Sequence, residues 1–244
     1  MNKAIKRIIK KDIVSIEHNK LNDLGIYIEF NEQDMLSARA MIIGPKDSIY
    51  EGGFLFFYIT FPKNYPYSPP DVAYVPSNNI RIHPNLYVGR HKSGYGKVCL
   101  SILGTWDGPQ WTTIMDISTV LLSIQSILDK YPLLNEPGYN LKDKSHHKII
   151  NDYNLVTFSE TILSLIIKNY ERTPEDFIIF KPIMTKYIID NYNDIYNNIL
   201  KHKCDNKLNI IHRLYNMDYI FNKEYIKDNY KLFCNKINLK LLNN

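Results

Sequence analysis

The first segment of the chain repeats apolar side chains at the spacing of a helix. Five isoleucines of residues 2–17 share this period, with basic residues between them: Ile5, Ile8, Ile9, Ile13 and Ile16. Such a pattern is typical of an amphipathic helix that rests one face on a core. We therefore predict a helix over residues 2–17 whose basic face meets solvent or a partner.

Three runs rich in β-branched and aromatic residues come next, at 26–30, 37–43 and 53–61. Asparagine, glycine and proline separate them, and these residues favour turns. Short strands joined by turns predict an antiparallel meander. The sequence Tyr65-Pro66-Tyr67-Ser68-Pro69-Pro70 then excludes a helix or a central strand, because proline lacks an amide hydrogen and keeps its predecessor extended. We predict a rigid surface loop there.

A helical pattern returns after Trp111. Thr113 and Asp116 have the spacing of a capping box, which predicts a helix from there to about residue 128. Its expected core stripe is Ile117, Val120, Leu121, Ile124 and Leu128. Leu122 lies about 140° from Ile117 at 100° per residue, and Ser126 shares its outward side. Leu122 therefore faces water or a partner, although isolated exposed leucines are common.

The remainder of the chain also has apolar residues at helical spacing. Residues 141–170 predict one helix, and Thr173-Pro174 ends it. Residues 175–203 and 206–240 predict further helices. We therefore expect a first unit over residues 1–170 and an appended helical extension over residues 171–244.

Composition narrows the class of protein. The 244 residues are 45% hydrophobic and 23% charged, which is ordinary for a globular chain. The net charge of +5 is too small for a dedicated nucleic-acid binder. Basic residues interrupt the first apolar positions, so we predict no secretory signal, and the absence of an apolar run of about 18 residues predicts no membrane span. Neither a metal-ligand cluster nor a phosphate-binding glycine loop is recognisable.

Cysteine supplies the candidate chemistry. Cys99 lies between the turn-forming Gly96-Lys97 and a mixed apolar run, whereas Cys204 and Cys234 lie far along the chain. This spacing argues against a disulfide framework and for a reducing compartment, cytoplasmic or nuclear. We expect Cys99 to be a thiol at the floor of a groove, where it can act as a nucleophile. The alternative is that Cys99 is a small buried apolar residue.

Several short motifs around Cys99 occur in the order found in one enzyme family. They are Tyr50 to Pro62, Tyr65 to Pro70, His83-Pro84-Asn85, Lys97 to Trp106 with Cys99 inside it, Trp111, and Asn135-Glu136-Pro137-Gly138-Tyr139. In this order and near-spacing the chain resembles ubiquitin-conjugating enzymes over roughly residues 3–170. Among them it is most similar to the Z subgroup, which also carries a helical C-terminal extension.

The resemblance implies a fold and a reaction. The fold is α+β: an N-terminal helix, a four-stranded antiparallel meander, an active-site loop and further helices. Cys99 would accept ubiquitin, or a ubiquitin-like modifier, from an activating enzyme as a thioester and pass it to a substrate lysine or a ligase. No cofactor would be bound, because the activating enzyme uses the ATP.

The resemblance also implies roles for other residues. Asn85 would stabilise the oxyanion or brace the loop, Glu136 would face the acceptor lysine, and His83 would fix the turn. Leu122 and Ser126 would hold the donor ubiquitin. Pro66 and Tyr67 would dock the ligase, and the N-terminal helix would help contact the activating enzyme. For Asn85 and Glu136, a structural role in a turn is the alternative.

One interval departs from the family. Asn85 and Cys99 are 14 positions apart (99 − 85), longer than usual, and the surplus falls in residues 88–95. We predict that these residues form a flap beside the thiol. Two other functions stay open: a catalytically silent ubiquitin-binding module, and binding of anionic surfaces or nucleic acid by the basic N-terminal helix and tail.

Overall fold

The computed structural model describes residues 2–202 and 207–242, so Cys204 and part of the predicted helix over residues 206–240 lie outside the described residues. The first helix, α1, consists of three consecutive segments, Lys3–Arg7, Ile8–Asp12 and Ile13–His18. The middle segment has the wider π-helical turn. An extra residue in this turn rotates the buried face, so Asp12 points inward and Ile9, which we predicted to face the core, is 43% exposed.

Asp12 is a buried carboxyl group that connects three elements. Its Oδ1 accepts a hydrogen bond from the Tyr65 hydroxyl and another, of 2.9 Å, from the amide of Ile117. Burial raises the pKa of Asp12, and the two hydrogen bonds act in the opposite direction. The end of the meander and the start of the next helix are thereby fixed to α1.

The predicted meander is confirmed. Its strands are β1 (Ile26–Phe30), β2 (Ser37–Ile43), β3 (Phe54–Thr60) and β4 (Asp71–Val75), each antiparallel to its neighbour. Two short strands, β5 (Leu86–Arg90) and β6 (Gly96–Val98), extend the sheet in the order β1-β2-β3-β4-β6-β5. They place Cys99 directly after β6.

The predicted flap over residues 88–95 is instead the end of the β5–β6 hairpin. Asp71 of β4 forms an ion pair with Lys92 at 2.8 Å and a hydrogen bond with Nε2 of His91 at 3.1 Å. The ring of Tyr95 packs 5.0 Å from that of Tyr58 on β3. The surplus residues therefore extend the sheet and are anchored to it, a pairing that the glycines in the sequence did not indicate.

Helix α2 spans Ile117–Ile127, and all five predicted core positions are buried. Its N-cap is Asp116, whose side chain accepts from the amide of Thr119 at 3.1 Å, so the predicted capping box starting at Thr113 is wrong. The preceding turn is held differently, because the Arg7 guanidinium donates to the carbonyl of Met115 at 2.9 Å. The helix thus starts one turn later than the spacing predicted.

The long helix α3 is continuous through the segments His147–Glu160, Thr161–Lys168 and Asn169–Glu171. A short turn, Glu175–Phe180, leads into α4 (Lys181–Lys201), and α5 spans Lys223–Leu242. Between α4 and α5 lie two antiparallel strands, β7 (Leu208–His212) and β8 (Met217–Phe221). The predicted helix over residues 206–240 is therefore wrong for its first part, where this hairpin lies. Burial in this hairpin largely follows the two-residue period of a β-strand and not the helical period that we inferred from the sequence.

The sheet and helices enclose two apolar clusters. One lies between the sheet and helices α1 and α2. The other combines sheet residues such as Phe54 and Phe56 with α3 and with extension residues such as Phe177 and Phe221. The extension thus shares an apolar core with the sheet that positions Cys99, while the boundary after residue 170 stays a prediction. Within the described part of the chain, no helix is long and apolar enough to cross a membrane.

Candidate active site

Cys99 is held by the backbone on both sides. Its amide donates to the carbonyl of Asn85 at 2.9 Å, and the Asn85 side-chain amide donates to the carbonyl of Cys99 at 2.7 Å. This reciprocal pair joins the start of β5 to the end of β6. The main chain at Cys99 is therefore fixed to the loop that carries Asn85.

The thiol is covered, although we expected it at the floor of an open groove. Cys99 is 2% exposed. The hydroxyl of Tyr87 is close enough to the sulfur to lower the pKa of the thiol. Yet Cys99 belongs to neither apolar cluster of the described residues, and charged groups of Lys97, Arg81 and Glu136 act on it. The sulfur is thus buried, but it lies outside the two apolar clusters and within reach of charged side chains.

The pKa of Cys99 reflects this mixed environment. Burial raises the pKa of the thiol above its usual value. Lys97, the Tyr87 hydroxyl and Arg81 lower it, and the carboxylate of Glu136 raises it. Because burial is the largest effect, the thiolate fraction at neutral pH is smaller than for an exposed cysteine.

His83 is buried and bonded at both ring nitrogens. Its Nδ1 accepts from the amide of Asn85 at 2.9 Å, so the imidazole is neutral and its Nε2 donates to the carbonyl of Ile127 at 2.9 Å. Burial lowers the pKa of His83 to about 3. The ring joins the turn before Asn85 to the end of α2.

Asn85 uses its side-chain amide within the loop. The Nδ2 group is the donor to the Cys99 carbonyl, and among the described residues Oδ1 is buried without a hydrogen-bond partner. Of the two roles considered from the sequence, this geometry serves loop support directly. The described contacts give the amide no second acceptor near the sulfur.

Glu136 follows a short helical turn, Pro132–Asn135, and its carboxylate accepts a hydrogen bond from the Tyr215 hydroxyl. The Arg81 guanidinium lies over the Tyr215 ring at 4.2 Å and over the Tyr87 ring at 3.6 Å. These contacts form a row that links the β5 strand to Glu136 through the extension, Tyr87–Arg81–Tyr215–Glu136, which we call the tyrosine–arginine row.

The remaining predicted residues lie on separate surfaces. Leu122 and Ser126 lie on the outer face of α2 and line an open groove with residues 45–48 and 128–130. Tyr67 is 78% exposed, and the carbonyl of Pro66 accepts from the indole of Trp111 at 2.7 Å. Hydrogen bonds therefore bring Cys99, Asn85 and His83 together, and Glu136 is close enough for its charge to act on the thiol. The other two pairs lie on outward surfaces.

The family model for ubiquitin-conjugating enzyme matches residues 8–156. The chain belongs to the ubiquitin-conjugating enzyme family. The resemblance inferred from the motifs is thereby confirmed, together with the α+β fold.

Similar curated proteins include members of the Z subgroup. The chain is 36% identical to ubiquitin-conjugating enzyme E2 Z of Xenopus tropicalis over 82% of its length and 61% of the relative. Identity to the Homo sapiens E2 Z is 42% over 63% of the chain and 41% of that protein. The chain thus spans less than two thirds of these relatives. A solved structure of human ubiquitin-conjugating enzyme E2 G1 is also similar. The match covers 52% of this chain and 96% of the E2 G1 chain, with 29% identity and a TM-score of 0.41.

Three residues of this family member's site were not found from the sequence. Arg81 and Tyr87 flank the His83-Pro84-Asn85 motif, and their proximity to it is the signal that could have identified them. Tyr215 had no such signal, because it lies 79 positions from Glu136 and its contact depends on an unpredicted hairpin. Among the described residues, no cluster of three or more His, Cys, Asp or Glu could hold a metal ion.

His83 gives a prediction about stability and pH. Its pKa is lowered in the folded state, so the unfolded state alone takes up a proton as the pH falls from about 6.5 toward about 3. Stability present above pH 6.5 is therefore lost across this window. From pH 7 to pH 5 the free energy of unfolding should fall by about 2 kcal/mol through His83.

The measurement is urea unfolding of the wild type and of His83→Asn at both pH values. Asparagine can still accept from the Asn85 amide but does not titrate, so the variant should lose about 2 kcal/mol less than the wild type between pH 7 and pH 5. Equal losses in the two proteins would contradict the prediction.

Proposed function

We propose that this chain carries ubiquitin, or a ubiquitin-like modifier, as a thioester on Cys99. The Cys99 sulfur attacks the modifier's C-terminal carbonyl on the activating enzyme, a new carbon–sulfur bond forms, and the activating enzyme's thiolate leaves. An acceptor amine or a ligase cysteine then attacks the same carbonyl and releases Cys99 as a thiolate. The acceptors are protein substrates or ubiquitin ligases.

The observation that carries the proposal is the placement of the sulfur. Cys99 is fixed by its hydrogen-bond pair with Asn85, lies outside both apolar clusters and has charged neighbours. A buried structural cysteine needs none of these features. Cys234 provides the contrast, since it lies within an apolar cluster beside Tyr230.

Other residues support the reaction. Asn85 braces the loop and, once the thioester forms and the loop adjusts, its amide can stabilise the oxyanion. Glu136 faces the acceptor lysine, whose ordinary pKa near 10.4 requires it to lose a proton before attack. His83 holds the turn as a neutral ring. The activating enzyme uses the ATP, and this chain needs no bound cofactor.

Three surfaces provide for the partners. The groove beside Leu122 and Ser126 fits a donor modifier held while its tail is attacked. The exposed Tyr67, on a loop fixed through Pro66, offers an aromatic contact to a ligase. The basic side of α1 suits the activating enzyme. A reducing compartment, cytoplasmic or nuclear, would keep Cys99 available.

The test is a charging assay with purified chain, activating enzyme, ATP and several modifiers in parallel. We expect an adduct heavier by one modifier, dependent on ATP and cleaved by reductant. Peptide mapping should place it on Cys99. A protein that stays unmodified by every modifier, while a control conjugating enzyme is charged in the same mixture, would contradict the proposal.

The low exposure of Cys99 favours a second candidate, a catalytically silent ubiquitin-binding module. Such a module would bind free ubiquitin without forming an adduct. Binding measured by titration together with no charging would support this second function, and charging would exclude it.

A further inference from the structure

The end of the β7–β8 hairpin has an uncommon backbone. Tyr215 has φ 56° and ψ 21°, and Asn216 has φ 51°. The left-handed region is unfavourable for a bulky residue such as tyrosine and persists where the surroundings hold it. The contacts of Tyr215 should therefore explain why the chain adopts this conformation.

Those contacts all point toward the active site. The Tyr215 hydroxyl donates to Oε2 of Glu136, and its ring lies under the Arg81 guanidinium. The edge of the ring meets Tyr153 of α3, with centroids 6.0 Å apart. Burial raises the pKa of Tyr215, so the phenol stays protonated and remains a donor.

Two further contacts set the position of the hairpin itself. His212 of β7 lies 2.7 Å from the buried carboxylate of Asp152 on α3. The Tyr219 hydroxyl of β8 is 2.9 Å from Glu160 and 2.6 Å from Ser159, both on α3. The hairpin is thus fixed to the first unit of the chain, and Tyr215 is held in place before any acceptor arrives.

Glu136 has opposite effects on the two steps of the reaction, and the bond from Tyr215 favours its useful effect. A carboxylate near the sulfur raises the pKa of Cys99 and so opposes charging. The same carboxylate assists the attack of an amine, provided that it stays in one orientation. The bond from Tyr215 to Oε2 restrains that orientation and uses only one of the two carboxylate oxygens.

We propose that Tyr215 is a positioning residue for aminolysis, through which the C-terminal extension completes the active site. It holds the Glu136 carboxylate while the acceptor amine attacks the thioester carbonyl. The new carbon–nitrogen bond forms, the carbon–sulfur bond breaks, Cys99 leaves as a thiolate, and the amine's proton passes to Glu136. This inference rests on the proposed function.

The test starts from purified thioester, so that differences in charging do not enter. Tyr215→Phe keeps the ring over Arg81 and removes only the hydroxyl. Its maximal rate of discharge to free lysine should fall about tenfold, which corresponds to the loss of one hydrogen bond to a charged group. The lysine concentration for half-maximal rate should change less than about twofold, because binding of the amine is not what Tyr215 provides.

Two comparisons separate positioning from a general loss of structure. Tyr219→Phe removes a hydroxyl from the same hairpin, bonded to Glu160 and Ser159, and should discharge at the wild-type rate. In a Glu136→Gln background, Tyr215→Phe should lower the rate less than about twofold further, because the two residues act as a unit.

Three results would overturn the inference while the proposed function stands. They are wild-type discharge by Tyr215→Phe, an equal loss in Tyr219→Phe, and a full further loss in the Glu136→Gln background. Failure of the wild type to form any thioester would instead refute the proposed function on which the inference rests.

Discussion

Cys99→Ser is expected to eliminate the reductant-sensitive adduct. A serine hydroxyl ionises far less readily than a thiol, so transfer to residue 99 should slow by on the order of a thousandfold or more. Any adduct that still forms would be an oxyester, which resists reductant and is cleaved by mild base. Gel analysis of charging mixtures with and without reductant distinguishes the two bonds.

The matched control is Cys234→Ser. Cys234 is also a buried free cysteine, but it lies in the apolar cluster of the extension beside Tyr230. Its replacement should leave the adduct and its sensitivity to reductant in place. A reductant-sensitive adduct on Cys99→Ser would show that another cysteine is the acceptor and would refute the assignment.

The second large effect is expected on stability. Phe177, in the turn before α4, is fully buried and packs 4.8 Å from the ring of Phe56 on β3 and 4.9 Å from that of Tyr58. Phe177→Ala leaves a cavity where the extension meets the sheet, and should lower the free energy of unfolding by about 3–5 kcal/mol. Urea unfolding followed by circular dichroism measures this loss.

Ile178→Ala is the control from the same turn. Ile178 is 54% exposed, so its loss should change stability by less than about 1 kcal/mol. Because the second cluster joins sheet and extension, we also expect Phe177→Ala to unfold in a single transition at lower urea. An extension that unfolds separately, with the sheet unchanged, would contradict this view of a shared core.

The elements that the sequence predicted well are those with a strong local period. The alternating runs of the meander and the apolar stripe of α2 repeat over enough residues to outweigh local exceptions. Motif order around Cys99 was sufficient to identify the family. The local pattern predicted the ends of elements less accurately: the N-cap of α2 is Asp116 and not Thr113.

The elements that were missed depend on contacts between distant parts of the chain. The strands β7 and β8 have five residues each and lie between two long helices, so their alternation was too short to outweigh the helical period around it. Tyr215 reaches the site only through that hairpin. The low exposure of Cys99 was likewise not predicted, because the strand β5, which lies beside it, was not recognised in the sequence.

The carboxylate of Asp12 couples three elements that are far apart in the sequence. One oxygen joins the helix proposed for the activating enzyme, the tyrosine preceding Pro66 and Tyr67, and the first residue of the helix that bears Leu122. A partner that displaces any one of these elements strains bonds shared with the other two. Movement of any one of the three elements is therefore energetically linked to movement of the other two through a single buried acid.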